Sequence, residues 1–275
     1  MSTFLDKLEK ACQANRSLLC VGLDPDPSRM PIPDVYEFNR AIVDATIDLV
    51  CAYKPNLAFY EALGLDGLKA LERTLDHIRR VSSSVLIIGD AKRGDIDSVS
   101  AAYATALFDR WGFDAATVNA YGGGDSVEPF LSYGDRGVFV WCRSSNPGAR
   151  DFQDLEDRDG RPLYQQMAQV YQSWNQKDNL GLVVGATYPK ELKILRELCP
   201  RMPFLIPGVG AQSGDLRLAV LFGMDAEGRG AIINSSRGVL YGSDGMDFAQ
   251  GARNKAESLK VAINQVLEQE GKGWS

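Results

Sequence analysis

Val85-Leu86-Ile87-Ile88-Gly89-Asp90-Ala91-Lys92-Arg93-Gly94-Asp95-Ile96 is an apolar run that ends in a cluster of charges. Read as a strand as far as Lys92, its period of two puts Leu86, Ile88, Asp90 and Lys92 on one face. A carboxylate and an ammonium then share a side with core aliphatics at a strand end. Ions rarely occupy such a place unless they are paired, because taking them out of water is costly. The alternative is a solvated turn, which a charged stretch containing glycine also fits. The rest of the chain has to decide between the two.

Working outward, short aliphatic or β-branched runs recur at Leu18 to Leu23, Cys51 to Lys54, Val85 to Asp90, Ala115 to Asn119, Val138 to Cys142, Leu180 to Gly185, Phe204 to Val209 and Gly230 to Asn234. Helical spacing fills most of the gaps, as in Phe38, Ile42, Thr46 and Leu49, or Leu63, Leu68, Leu71, Leu75 and Ile78. Thr187-Tyr-Pro189-Lys-Glu reads as a helix start with proline in its first turn. Ala252, Ala256, Leu259, Ile263, Val266 and Leu267 give the last helix an apolar stripe. Strand and helix alternating eight times predict an α/β fold, a (β/α)₈ TIM barrel forming one domain over residues 1–275. A doubly wound open sheet is the structural alternative, but no strand is followed by a GxGxxG turn.

Composition narrows the chemistry. The chain has 275 residues and a formal net charge of −6, which argues against a nucleic-acid-binding surface. Its apolar runs are too short to span a membrane, and its first residues lack a signal-peptide core, reading instead as an amphipathic helix on Phe4, Leu5, Leu8 and Cys12. A cytoplasmic protein is expected. Five cysteines stand without paired spacing and read as buried thiols, neither disulfides nor zinc ligands. The only histidine, His77, sits in a helical context that suits a structural role, so a Ser/His/Asp triad or a histidine-rich metal site is improbable.

A barrel builds its site from the C-terminal ends of its strands. That rule gathers Asp24, Lys54, Asp90, Lys92 and Asp95 on one side of the mouth, with Asn119, Ser144 and Ser145 further round. Opposite them stand Pro207-Gly-Val209-Gly-Ala-Gln212 and Ser235-Ser-Arg237-Gly238. Loops after strands seven and eight often hold a phosphate; here glycines let backbone N–H groups approach an oxyanion, and Arg237 supplies a bidentate cation. One long polar connection, Arg143 to Arg161, follows the fifth strand; its first half reads as active-site loop and its acidic half, Asp151 to Asp159, as a solvated excursion.

Asp90-Ala-Lys92-Arg-Gly-Asp95-Ile96, Lys54-Pro-Asn56, Ser145-Asn-Pro-Gly-Ala149, Pro207-Gly-Val209-Gly-Ala-Gln212 and Arg237 together resemble the orotidine 5′-phosphate decarboxylases, in their longer bacterial form, from about Leu18 to Tyr241. The resemblance implies loss of CO₂ from orotidine 5′-monophosphate (OMP) to give uridine 5′-monophosphate (UMP), with no metal and no cofactor. It makes Lys54, Asp90, Lys92 and Asp95 an alternating charged array, with Lys92 stabilising the carbanion and protonating it. Asp24 and Lys54 would hold the ribose, Ser145 the pyrimidine, and Gln212 and Arg237 the phosphate, with Pro207 and Val209 also in the substrate site. Family members are homodimers in which the last aspartate and the next isoleucine, here Asp95 and Ile96, enter the partner's site. The pattern breaks once: a threonine usual four residues after that aspartate is Val99 here, flanked by Ser98 and Ser100. Its ribose contact is therefore lost, rearranged or taken over by a serine.

Three other readings share some of these residues. A related sugar-phosphate decarboxylase or aldol-type synthase would hold Mg²⁺ with a glutamate where Lys54 stands. A Schiff-base aldolase would use Lys54 or Lys92 as a neutral nucleophile, which the neighbouring carboxylates oppose. A catalytically silent phosphoribosyl-binding protein would keep only the binding groups.

Overall fold

A computed structural model describes residues 2–209 and 214–274. Eight parallel strands close into a barrel in chain order: β1 (Leu19–Leu23), β2 (Ala52–Pro55), β3 (Leu86–Arg93), β4 (Ala115–Val118), β5 (Gly137–Arg143), β6 (Leu180–Val184), β7 (Phe204–Pro207) and β8 (Ala231–Ser235). Closure comes from β8 pairing with β1, Leu19 opposite Ile233 and Val21 opposite Ser235. Each of the eight aliphatic runs expected from the sequence is a strand, displaced by no more than a few residues. Strands covered on both faces have no polar alternation to show, which is why β1 and β6 read as continuous apolar runs.

The helices follow from capping and stripe. In α1 (Phe4–Asn15), Thr3 and Asp6 cap each other's backbone reciprocally, and Phe4, Leu8, Ala11 and Cys12 are buried. Phe4 meets Phe139 edge-on, with ring centroids 5.9 Å apart, so α1 packs against the first half of β5, away from the strand's C-terminal end. Asp34 caps α2 (Val35–Thr46). After α3 (Leu57–Glu61), α4 (Gly64–Val81) buries Ala70, Leu71, Thr74, Leu75 and Ile78, a repeat of three and four residues. Next come α5 (Asp97–Ala104), which runs on into a wider π-type turn, and α6 (Gly124–Leu131).

The connection after β5 departs from expectation. Arg143 belongs to the strand, and the residues beyond it form a short 3₁₀ turn (Pro147–Ala149) and a one-turn helix α7 (Arg150–Gln153). The acidic half, Asp151 to Asp159, is mostly exposed as expected, with one tie to the barrel: Asp154 lies 2.9 Å from the buried Arg143 guanidinium. A buried cation needs a counter-charge, and the loop supplies it. The remaining helices are α8 (Leu163–Trp174), α9 (Pro189–Leu198) with its proline in the first turn, α10 (Leu216–Gly223), α11 (Arg237–Leu240) and α12 (Phe248–Gln269).

All five cysteines are buried free thiols. His77 is tied to Asp44 at 2.6 Å and packs edge-on to Tyr36, a structural placement. Among the described residues no helix is long and apolar enough to cross a membrane.

Candidate active site

At the C-terminal ends of the strands lies a cavity of about 290 Å³. Asp90 and Lys92, at the end of β3, form its floor. Asp90 stands between two lysines: Lys54 Nζ donates to Oδ2 at 2.7 Å, and Lys92 Nζ donates to Oδ1 at 2.6 Å. Thr117 Oγ1 donates to the same Oδ1 at 2.9 Å. Both carboxylate oxygens are therefore held, and by charge-assisted bonds.

Burial opposes ionisation of Asp90, but Lys54 and Lys92, through charge and hydrogen bonds, outweigh it and hold the carboxyl well below the usual range. Burial likewise works against the Lys54 ammonium, and the charges of Asp90 and Asp24 overcome it, raising Lys54 above the ordinary lysine value. The two lysines differ in access. The Lys54 side chain is 4 % exposed and that of Lys92 35 %, so of the two lysines, which both line the cavity, Lys92 is the more open to a molecule in it.

This arrangement needs an irregular backbone. Lys92 has φ +47°, and the pairing of β3 with β4 slips between Gly89 and Arg93. A left-handed lysine is strained by roughly 1–3 kcal/mol. Thr117 Oγ1 compensates by accepting the Lys92 N–H at 3.0 Å. Asp90 and Lys92 do converge, as a two-residue period suggests, but through a bulge that a regular strand would lack.

Removing Asp90 tests the floor. In Asp90→Ala the buried Lys54 ammonium loses its hydrogen-bonded counter-ion, which is expected to cost about 3–5 kcal/mol in urea unfolding at neutral pH. The sign with pH follows from the lowered native value. The Asp90 contribution is complete above its unfolded value of about 4 and is lost as pH falls from there towards the native value. Lys54, raised in the native state, behaves oppositely: its contribution is complete below about pH 10 and declines only as pH rises through the raised value. The gap between wild type and Asp90→Ala should thus be flat from about pH 6 to pH 8 and narrow below about pH 4. A gap that stays constant to about pH 2 would contradict the lowered native value.

Asp24, Ser145, Pro207, Val209 and Arg237 line the same cavity as Lys54, Asp90 and Lys92. Asp24 Oδ1 is buried without a hydrogen-bond partner among the described residues, an acceptor open to a hydroxyl. Arg237 is exposed at the start of α11, and no carboxylate among the described residues pairs with it. Close approach is built in at two glycines: a side chain on Gly22 would overlap the Ser236 hydroxyl, and one on Gly185 would come within 2.7 Å of Ser145.

Asp95 and Ile96 do not line this cavity. Both are exposed, and Asp95 Oδ1 accepts the neighbouring Ile96 N–H at 2.8 Å, its one partner among the described residues. Asn119 also stays outside, its side chain accepting the Tyr121 N–H. Gln212 lies outside the described residues. Val99 is 42 % exposed. Its neighbour Ser100 is buried and already engaged with Asp95 and Ser126, so it has no hydroxyl to offer a ligand in place of the missing threonine.

Thr117, Trp141, Arg143 and Asn234 also border the cavity and were not picked out from sequence. The Lys92 ammonium lies 5.9 Å from the Trp141 ring centre. Inside doubly covered strands these residues carry no periodic mark. The one usable signal was a polar threonine in an otherwise apolar run, Ala115-Ala-Thr117-Val.

Residues 17–247 match the model of the orotidine 5′-phosphate decarboxylase / HUMPS family. The chain belongs to this family. The matched segment takes in every cavity residue from Asp24 to Arg237. A relative from Dehalococcoides mccartyi named orotidine 5′-phosphate decarboxylase is 50% identical over 265 residues, covering 95% of this chain and 97% of its own. The protein of the same name from Roseiflexus castenholzii is 49% identical over 271 residues, covering 96% and 98%. Among solved structures, the OMP decarboxylase of Leishmania donovani superposes with a TM-score of 0.84 at 38% identity, covering 96% of this chain and 98% of the other.

Proposed function

We propose that the protein is a carboxy-lyase that converts OMP to UMP and CO₂ in pyrimidine biosynthesis. The Lys54–Asp90–Lys92 array, with contacts of 2.7 and 2.6 Å at the cavity floor, carries the reading. In the reaction the bond between C6 and the carboxylate breaks and CO₂ departs. The electron pair stays on C6, in an orbital that the ring cannot delocalise well. A cation must therefore stand at C6 and deliver a proton there. Lys92 fills both roles, stabilising the carbanion and then protonating it as general acid, since it is the more open of the two lysines. Asp90 lies beside the departing carboxylate, and its negative charge disfavours the substrate more than the product.

Asp24 and Lys54 hold the ribose hydroxyls, a role supported by the unpartnered Asp24 Oδ1. Ser145 faces the pyrimidine, Arg237 with Gln212 grips the phosphate, and Pro207 and Val209 shape the substrate wall between them. Binding energy from the phosphate end is expressed at the transition state. Asp95 and Ile96, exposed and outside their own cavity, complete the site of a second copy in a cytoplasmic homodimer. The whole chain acts as a single barrel domain.

The donor set does not suit a metal. Both oxygens of Asp90 are taken by lysine ammonium groups, which would repel a divalent cation. The reaction accordingly needs neither metal nor cofactor. The test is the ultraviolet change on mixing the protein with OMP, repeated in excess chelator. Equal rates are expected in both; no change in absorbance would refute the decarboxylase, and loss only with chelator would refute the metal-free chemistry.

A further inference from the structure

Arg143 ends β5 and borders the cavity, yet its side chain is 1 % exposed. A guanidinium this buried needs counter-charge close by, and here that falls on the two Nη groups, Nε having no hydrogen-bond partner among the described residues. Its partners come from segments that only the fold brings together. Asp154 Oδ1 lies 2.9 Å and Glu191 Oε1 3.9 Å from Nη2. The faces of Tyr188 and Tyr164 stand 4.2 and 5.3 Å from the guanidinium carbon. Nη1 donates to Gln153 Oε1 at 3.3 Å.

That last contact leads to the site. Gln153 Oε1 also accepts the backbone N–H of Ser144 at 2.9 Å, so one amide oxygen joins the buried cation to the backbone of the residue before Ser145. The far side of the same peptide run is held as well: Thr187 Oγ1 donates to the Ser145 carbonyl at 3.0 Å, and Tyr188 OH donates to the Asn146 carbonyl at 3.3 Å. Tyr188, which covers the guanidinium, thus also fixes the loop. The loop folds back because its own Gln153 and Asp154 are needed to solvate Arg143.

We infer that Arg143 is a positioning residue, which through Gln153 and Asp154 locks the loop after β5 so that Ser145 is presented to the pyrimidine ring. It rests on the assignment of Ser145 made above and adds the cation that holds it. The Arg143 guanidinium is engaged by Asp154, Gln153 and the two tyrosine rings, so its loss should act through the loop and chiefly on recognition of the base.

The experiment compares dissociation constants of UMP, which carries the base, and ribose 5-phosphate, which lacks it. Arg143→Met and Gln153→Ala are each expected to weaken UMP binding at least tenfold and ribose 5-phosphate binding less than twofold. Ser145→Ala should show the same selectivity, and the Arg143→Met/Gln153→Ala double variant should be no worse than the weaker single one, as for groups acting in series. Equal weakening of both ligands would mean general loosening of the barrel and overturn the role. Unchanged UMP affinity in Gln153→Ala, with Ser145→Ala impaired, would overturn it too while leaving the Ser145 assignment standing. Unchanged UMP affinity in Ser145→Ala would remove that assignment and this inference with it. Gln153 is only half-buried, so its variant decides the matter even if Arg143→Met does not fold.

Discussion

Replacing Lys92 by alanine is expected to lower kcat for OMP by about 10⁴-fold or more while leaving the protein folded. Two effects disappear together, the cation that stabilises the C6 carbanion and the proton that quenches it. Mutagenesis of general acids typically costs about 10²–10⁴-fold, and loss of a preorganised charge about 10²–10³-fold. The fold should survive because Asp90 keeps its second lysine: Lys54 still donates to Oδ2 and Thr117 to Oδ1. Relief of the left-handed backbone is not available to alanine either, so φ +47° at this position remains strained. The measurements are steady-state turnover and thermal unfolding on the same preparation. Turnover within tenfold of wild type in a folded variant would exclude Lys92 as the proton donor.

Arg237→Ala should act in a different place. It removes a bidentate partner of the phosphate, where each charge-assisted bond is worth about 1.5–3 kcal/mol, so kcat/KM for OMP should fall by about 10²–10⁴-fold. Orotidine, which has no phosphate, gains nothing from that contact, and its slower turnover should be nearly unchanged. The comparison of the two substrates isolates the phosphate end. An equal loss on both would place Arg237 in the chemistry or in the fold and remove it from phosphate binding. Stability should hardly move, since no carboxylate among the described residues pairs with Arg237 and its exposed side chain packs nothing into the core.

The legible parts of this site share one property: their chemistry is local in the chain. Asp90 and Lys92 are two residues apart, so a strand phase sufficed to suggest that they converge. Lys54, Asp24 and Arg237 each follow an apolar run, and the rule that barrel sites collect at strand ends was enough to group them. Thr117 and Arg143 were different. Each lies in a strand with both faces covered, where polar residues have no period to break. Arg143 in particular looked like the first residue of a polar loop, because its neighbours Ser144, Ser145 and Asn146 are polar and its real partners, Asp154, Tyr164, Tyr188 and Glu191, are scattered along the chain.

By itself the sequence determined the order of strands and helices, the barrel, and that Asp24, Lys54, Asp90, Lys92 and Arg237 gather around its mouth. Those follow from hydrophobic period and from the direction of parallel strands, both of which are written residue by residue. The sequence also grouped Asp95 there, which lies outside the cavity, and passed over Arg143. Only the tertiary structure decided which lysine is the more open, that Lys92 arrives through a left-handed bulge, that Ser100 is already bonded to backbone carbonyls, and that Asp154 of the acidic loop pairs with Arg143. Burial, backbone strain and charge pairing depend on neighbours from distant segments, and distance in the chain says nothing about distance in space.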